Sequence, residues 1–75
     1  MAERRVKAIE REDGKERLCI MARDDGAYRF YLEFEGEEPP YGTYWSVRNF
    51  SGLYESLEAA EKDARATILW LRLQP

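Results

Sequence analysis

Histidine is missing from this 75-residue sequence, and cysteine occurs once, at Cys19. Without an imidazole no Ser-His or Cys-His nucleophile pair can form within the chain, and the usual thiolate and imidazole cage for zinc lacks its members. A single thiol also excludes an intramolecular disulfide, so the fold has to stand on packing. No run approaches the ~18 apolar residues of a membrane span. The start, MAERR, is basic with no apolar stretch behind it, and a cytosolic, reducing setting is therefore expected. The glycines form no phosphate-cradling loop and the acidic residues lack the Asp-x-Asp spacing of a calcium site. Neither a cofactor nor a metal is expected, and no small-molecule ligand can be inferred.

What is present is charge and aromaticity together. Charged residues make up 36% and hydrophobic ones 44%, with two Trp, five Tyr and three Phe, a balance suited to a folded globule rather than a disordered chain. One domain over residues 1–75 is expected, because a chain this short has no material for a second core. The net charge of −3 is uneven. Seven basic and five acidic residues fall before Asp24, one and six between Asp24 and Gly42, and four and four after that. The acidic middle, EFEGEEPP, reads as solvated and disfavours the approach of phosphates.

Two Asp-Gly pairs, Asp13-Gly14 and Asp25-Gly26, predict hairpin turns separating strands at about 5–11, 16–23 and 27–35. If both are two-residue turns, Ala8 faces Cys19, Val6 faces Met21, Met21 faces Phe30 and Cys19 faces Leu32. The expected core face is then Val6, Ala8, Cys19, Met21, Tyr28, Phe30, Leu32 and Phe34. The opposite, solvated face would carry an apolar cluster of Ile9, Leu18, Ile20 and Tyr31 among charges. A three-residue loop with a bulge at either turn would shift the pairing. Residues 35–42 read as a Pro-Gly loop, and TYWSVRN as a fourth strand at about 43–49.

Ser56 is a good N-cap for a helix at about 57–72, with Leu57, Ala60, Ala64, Ile68 and Leu71 on one stripe. Glu58 with Lys62 and Glu61 with Arg65 are favourable i,i+4 pairs. The fold class expected is α+β: an antiparallel meander of three or four strands with one C-terminal helix on one face.

The closing segment ATILWLRLQP holds more apolar residues than that stripe uses. On a helical wheel Trp70 and Leu73 point outward and Leu69 lies at the margin. Either the tail folds back onto the sheet edge and buries Leu73 under Trp70, or Leu69, Trp70 and Leu73 form a strip covered by a second copy or another protein. The second explanation is preferred, with the cluster of Ile9, Leu18, Ile20 and Tyr31 as further interface and a twofold homodimer as the simplest assembly. The alternative is a nucleic-acid module in which Arg23, Arg29, Tyr31 and Arg48, with Trp45 or Tyr44 of the fourth strand, supply cations and stacking rings; a domain of pI near 5.0 is poorly equipped for it.

For catalysis only carboxylates remain, with Glu33, Glu35, Glu37 and Glu38 close in sequence, and solvated acidic residues of this kind seldom form an active site. No enzyme is expected. ARDDGAYRFYLEF followed by SLEAAEKDARATI is loosely similar to antitoxins of the HicB type. The sheet followed by a helix opening SLEAAEKDA is also loosely similar to the small DNA-binding modules at the N-termini of tyrosine recombinases. Both similarities rest on features common to sheet-plus-helix domains, and no family is assigned from them.

Overall fold

The computed structural model describes residues 2–38, 40, 42–48 and 50–74. Strands β1 (Glu3–Glu10), β2 (Glu16–Arg23), β3 (Tyr28–Glu38) and β4 (Gly42–Arg48) form an antiparallel sheet in the order β1-β2-β3-β4. Helices α1 (Leu57–Thr67) and α2 (Leu69–Leu73) follow, so the chain is an α+β meander. The acidic stretch expected in a loop instead continues β3, with Glu35 opposite Trp45, Glu37 opposite Thr43 and Glu38 opposite Gly42. A two-stranded ribbon open to solvent accepts carboxylates that a covered sheet would not. Pro39 and Tyr41 of the expected loop, and Asn49 of the expected fourth strand, lie outside the described residues.

The two hairpins close differently, and the difference sets the core. In the first, Arg11 N donates to Glu16 O (2.8 Å) and Gly14 N to Arg11 O (2.8 Å), making a four-residue loop. Four residues and two differ by an even number, so Ala8 still opposes Cys19 and Glu10 still opposes Arg17. In the second, Arg23 N donates to Ala27 O (2.9 Å), Gly26 N donates to Arg23 O (3.1 Å), and Gly26 has φ 86°. This is a three-residue loop ending in a left-handed glycine, and it shifts the pairing by one. Ile20 therefore opposes Phe30 and Leu18 opposes Leu32, where Met21 and Cys19 were expected.

A one-residue slip turns a strand over, because side chains alternate with period two. The β3 half of the expected core face is observed, with Phe30 and Leu32 buried. The β2 half is inverted: Leu18, Ile20 and Ala22 lie under the helix, whereas Cys19 and Met21 stand on the open face. On β1 the register shifts between Arg5 and Lys7, and Val6 at this irregularity is 38% exposed rather than buried. The core consists of Leu18, Ile20, Phe30 and Leu32 against Ala60, Ala64, Ile68 and Leu71, with Ile9, Tyr28, Tyr54, Leu57 and Trp70 packed around it.

Ser56 caps α1 by accepting from Ala59 N (3.0 Å), and Ala60 and Ala64, both fully buried, let the helix lie close on β2 and β3. The single helix expected to Arg72 is broken at Ile68, whose φ −100° and ψ 111° are extended. The break falls at two successive β-branched residues, Thr67 and Ile68, which resist helical crowding. It lets Ile68 and Leu71 both reach the core. Arg65 then donates to the carbonyls of Leu71 and Gln74 (3.4 Å each), and Gln74 Nε2 donates to Glu10 O (2.9 Å), holding α2 against the end of β1. Among the described residues no helix is long and apolar enough to cross a membrane.

Leu71→Ala should lower unfolding free energy by about 2–5 kcal/mol in denaturant titration, and Leu73→Ala by less than about 0.5. Equal losses would contradict the placement of α2. Gly26→Ala should cost about 1–2 kcal/mol, because the left-handed backbone of the second turn crowds a Cβ; an unchanged midpoint would count against that turn.

Candidate functional site

The helices cover one side of β2 and β3, so the other side of the sheet is an open face on which side chains from all four strands are brought together. Alternation places Glu3, Arg5, Cys19, Arg29, Tyr31 and Glu33 on this open face, with Arg17, Trp45 and Val47 beside them. Arg29 grips Glu3 through two bonds of 2.7 Å, spanning from β3 to β1 over the central strand. Arg17 binds Glu33 through bonds of 3.0 and 3.3 Å, and Arg5 approaches the same carboxylate at 3.6 Å. The Arg17 guanidinium also lies 4.3 Å from the centre of the Trp45 ring. Arg29 lies 5.5 Å from the Phe50 ring, which tilts against Tyr31 at 5.8 Å.

These contacts set the ionisation of the face. Hydrogen bonding to Arg17, with a further bond from the Cys19 thiol (2.8 Å), holds Glu33 below the usual carboxylate range. Hydrogen bonding to Arg29 likewise lowers Glu3. Burial, followed by the Glu33 carboxylate, pushes the Cys19 thiol up, so it stays a neutral donor near pH 7 rather than a thiolate nucleophile. Although Cys19 was expected in the core, it is on the open face and yet fully buried beneath its neighbours. Tyr31 is also raised, chiefly by burial. At the far turn Asp13 is lowered to about 2 by Arg11 and the Lys15 N–H.

A second polar centre, Glu16, lies on the helix side of the sheet. It accepts from Arg48 (2.5 Å) and from Trp70 Nε1 (2.8 Å), with Arg11 at 3.5 Å. The break at Ile68 turns Trp70 onto this hairpin edge, half-buried, but does not cover Leu73, which remains 78% exposed beside Leu69 at 68%. The folded-back alternative, with Leu73 buried under Trp70, is thus not observed; of the strip preferred instead, Leu69 and Leu73 are exposed but Trp70 does not project outward.

The remaining expected site residues do not form one surface. Leu18 and Ile20 are fully buried and Ile9 packs at the core margin, all beneath the helix, while Tyr31 is on the other face. The interface cluster expected from those four is therefore absent, because the three-residue turn inverted β2 relative to β3. Of the expected nucleic-acid contacts, Arg29 and Tyr31 share the open face, and Arg23 lies at its margin, 3.0 Å from Asp25. Arg48 is on the helix side over the Phe34 ring at 4.5 Å. Among the described residues no group of three or more Cys, Asp or Glu is placed to hold a metal ion.

Sequence reasoning weighed Trp45 only as a stacking ring for nucleic acid and did not read an interface in the exposed apolar side chains at the end of the sheet, Trp45 at 43%, Val47 at 48% and Phe50 at 58%. The available signal was TYWSV, a strand with no charge in a chain otherwise dense with it. Fold and surface together define an α+β domain whose sheet is covered on one side and presents a ladder of ion pairs and aromatics on the other. No protein-family model, curated protein or solved structure matches the chain.

The lowered carboxylates give stability a definite pH dependence. A carboxylate with depressed folded pKa stabilises fully above its unfolded value and loses that contribution as pH falls through the folded one. Melting temperature should therefore be level between about pH 5 and about pH 8 and fall as pH drops toward 2, with a smaller fall in Glu33→Gln. The same decrease in both proteins would show that Glu33 does not contribute.

Proposed function

We propose that this chain is a cytosolic, non-enzymatic interaction module that works by self-association. The observation that carries the reading is the accessible apolar surface of Trp45, Val47 and Phe50. Trp45 and Val47 stand on the face of the sheet opposite the helices, so they lack the cover that Leu18 and Ile20 receive. Exposed large apolar side chains gathered on one side of a sheet mark contact sites, and a domain with a small core gains stability by burying them between subunits. A twofold homodimer is the simplest closed assembly. Leu69 and Leu73 on α2 form a second accessible pair on the opposite side of the molecule's sheet.

The nucleic-acid reading has less support. Arg17, Arg29 and Arg48 are already bonded to Glu33, Glu3 and Glu16, so a phosphate would have to displace a carboxylate at each. An enzymatic reading has less still, since Glu3, Glu16 and Glu33 serve as ion-pair partners and Cys19 is held as a neutral thiol.

Sedimentation equilibrium at micromolar concentration should give about twice the 8.9 kDa monomer mass. Trp45→Glu should return it to the monomer value and Leu73→Glu should leave it doubled. A concentration-independent monomer would sink the proposal, and a dimer broken by Leu73→Glu alone would move the interface to α2.

A further inference from the structure

The hydrogen-bonding phase of β4 can be read from its neighbours. Along a strand, successive residues aim their N–H and C=O alternately to one side and the other. In β3, Phe30 N donates to Ser51 Oγ (2.8 Å) and Phe30 O accepts from Ser51 N (3.0 Å), whereas Glu35 N donates the other way, to Lys15 O (2.9 Å). Even-numbered residues of β3 therefore face β4. Through the register Phe34 to Ser46 and Gly36 to Tyr44, the even-numbered residues of β4 bond to β3. The main-chain groups of Thr43, Trp45 and Val47 are left aimed at the open edge.

The two edges of the sheet are unlike. β1 carries Arg4, Arg5 and Lys7 and the irregularity at Val6, both of which discourage addition of another strand. β4 has an unbroken register with β3 and one charge, Arg48 at its end, bonded to Glu16. One edge is guarded and the other is not.

We infer that the free edge of β4 pairs with β4 of a second copy, antiparallel about a twofold axis at Trp45; the inference rests on the self-association proposed above. In this register Trp45 opposes its own counterpart and Thr43 opposes Val47 of the second copy. All three outward-facing residues of each strand meet outward-facing residues, giving about six main-chain hydrogen bonds. A shift of two residues loses one such pair among the described residues, and a shift of one puts donors and acceptors out of phase.

Charge agrees with phase. Arg48 falls opposite Gly42 of the second copy, so no like charges meet. Glu35 and Glu37 of the two β3 strands stand three strand spacings apart, about 14 Å, beyond the screening length of about 8 Å at physiological salt. Thr43, Trp45 and Val47 share the open face, so Trp45 and Val47 of both copies join into one apolar stripe across the axis. The strand is thus its own complement in phase, charge and surface, which selects a second copy over a different partner.

Thr43→Cys and Val47→Cys, each combined with Cys19→Ala, test the register. Opposed residues in a bonded antiparallel pair have Cα atoms about 5.5 Å apart, within disulfide reach, whereas Thr43 and its own counterpart are separated by four residues, about 14 Å. Mild oxidation of the mixed variants should give at least tenfold more cross-linked dimer than either variant alone. Val47→Pro, which removes an outward N–H and no bond to β3, should lower the sedimenting mass to that of the monomer with circular dichroism unchanged. A dimer in sedimentation with no mixture-specific cross-link, or one that survives Val47→Pro, overturns the β4 pairing while leaving self-association in place. A monomer overturns both.

Discussion

The left-handed backbone at Gly26 decides which side of β2 faces the helix. It ends a three-residue turn, and an odd loop length sets Leu18, Ile20 and Ala22 on the same side as Phe30 and Leu32. Had the loop been even, Cys19 and Met21 would have faced α1, and Ala60 and Ala64 would have closed on a thiol and a thioether rather than on branched aliphatics. Everything packed on the covered side follows from that choice. So does the open side, where Cys19 becomes the floor of the ion-pair ladder built by Arg5, Arg17 and Glu33.

The helix covers only the middle of the sheet, and the two ends are treated differently as a consequence. At the β1 end Lys7 reaches Glu61 of α1 at 2.6 Å and Gln74 reaches Glu10, so the edge is tied to the helical layer by polar contacts. At the other end β4 has β3 as its one strand neighbour among the described residues, with Trp45 under the Arg17 guanidinium and Tyr44 lying over Gly36. The break at Ile68 belongs to the same arrangement. It gives up a straight helix in order to bring Leu71 into the core and Trp70 to the Glu16 carboxylate, joining tail, first hairpin and β4 through one acidic side chain.

Much of the fold was legible because it is encoded locally. Alternation in AYRFYLEF marked β3, Asp-Gly marked both turns, and Ser56 with the Leu57, Ala60, Ala64, Ile68 and Leu71 stripe marked the helix and its buried side. The pairing of β1 with β2 was also readable near the turn, at Ala8 and Glu10, since the four-residue loop observed and the two-residue loop expected preserve the same parity; beyond the irregularity at Val6 it was not, and Arg5 rather than Val6 opposes Met21. The candidate interface was less legible. Leu18 and Ile20 look like exposed apolar residues only under the wrong parity, and Trp70 looks outward only on an unbroken helix. TYWSV was visible as a strand, but that Trp45 and Val47 stand on the face away from the helices depends on its register with β3.

By itself the sequence determined the four strands and the start of the helix, and which alternate residues in most of them travel together, because these follow from backbone preference and the period of side-chain direction; the run of β3 through Glu38 and the break at Ile68 were not among them. It did not determine which of two alternating sets on β2 is buried, since Leu18 and Ile20 differ little in hydrophobic character from Cys19 and Met21. Only the tertiary structure decided that. A single hydrogen-bonded turn, Arg23 to Ala27 through Gly26, and the closure of α1 on the resulting face select one set for the core and leave the other to the charges.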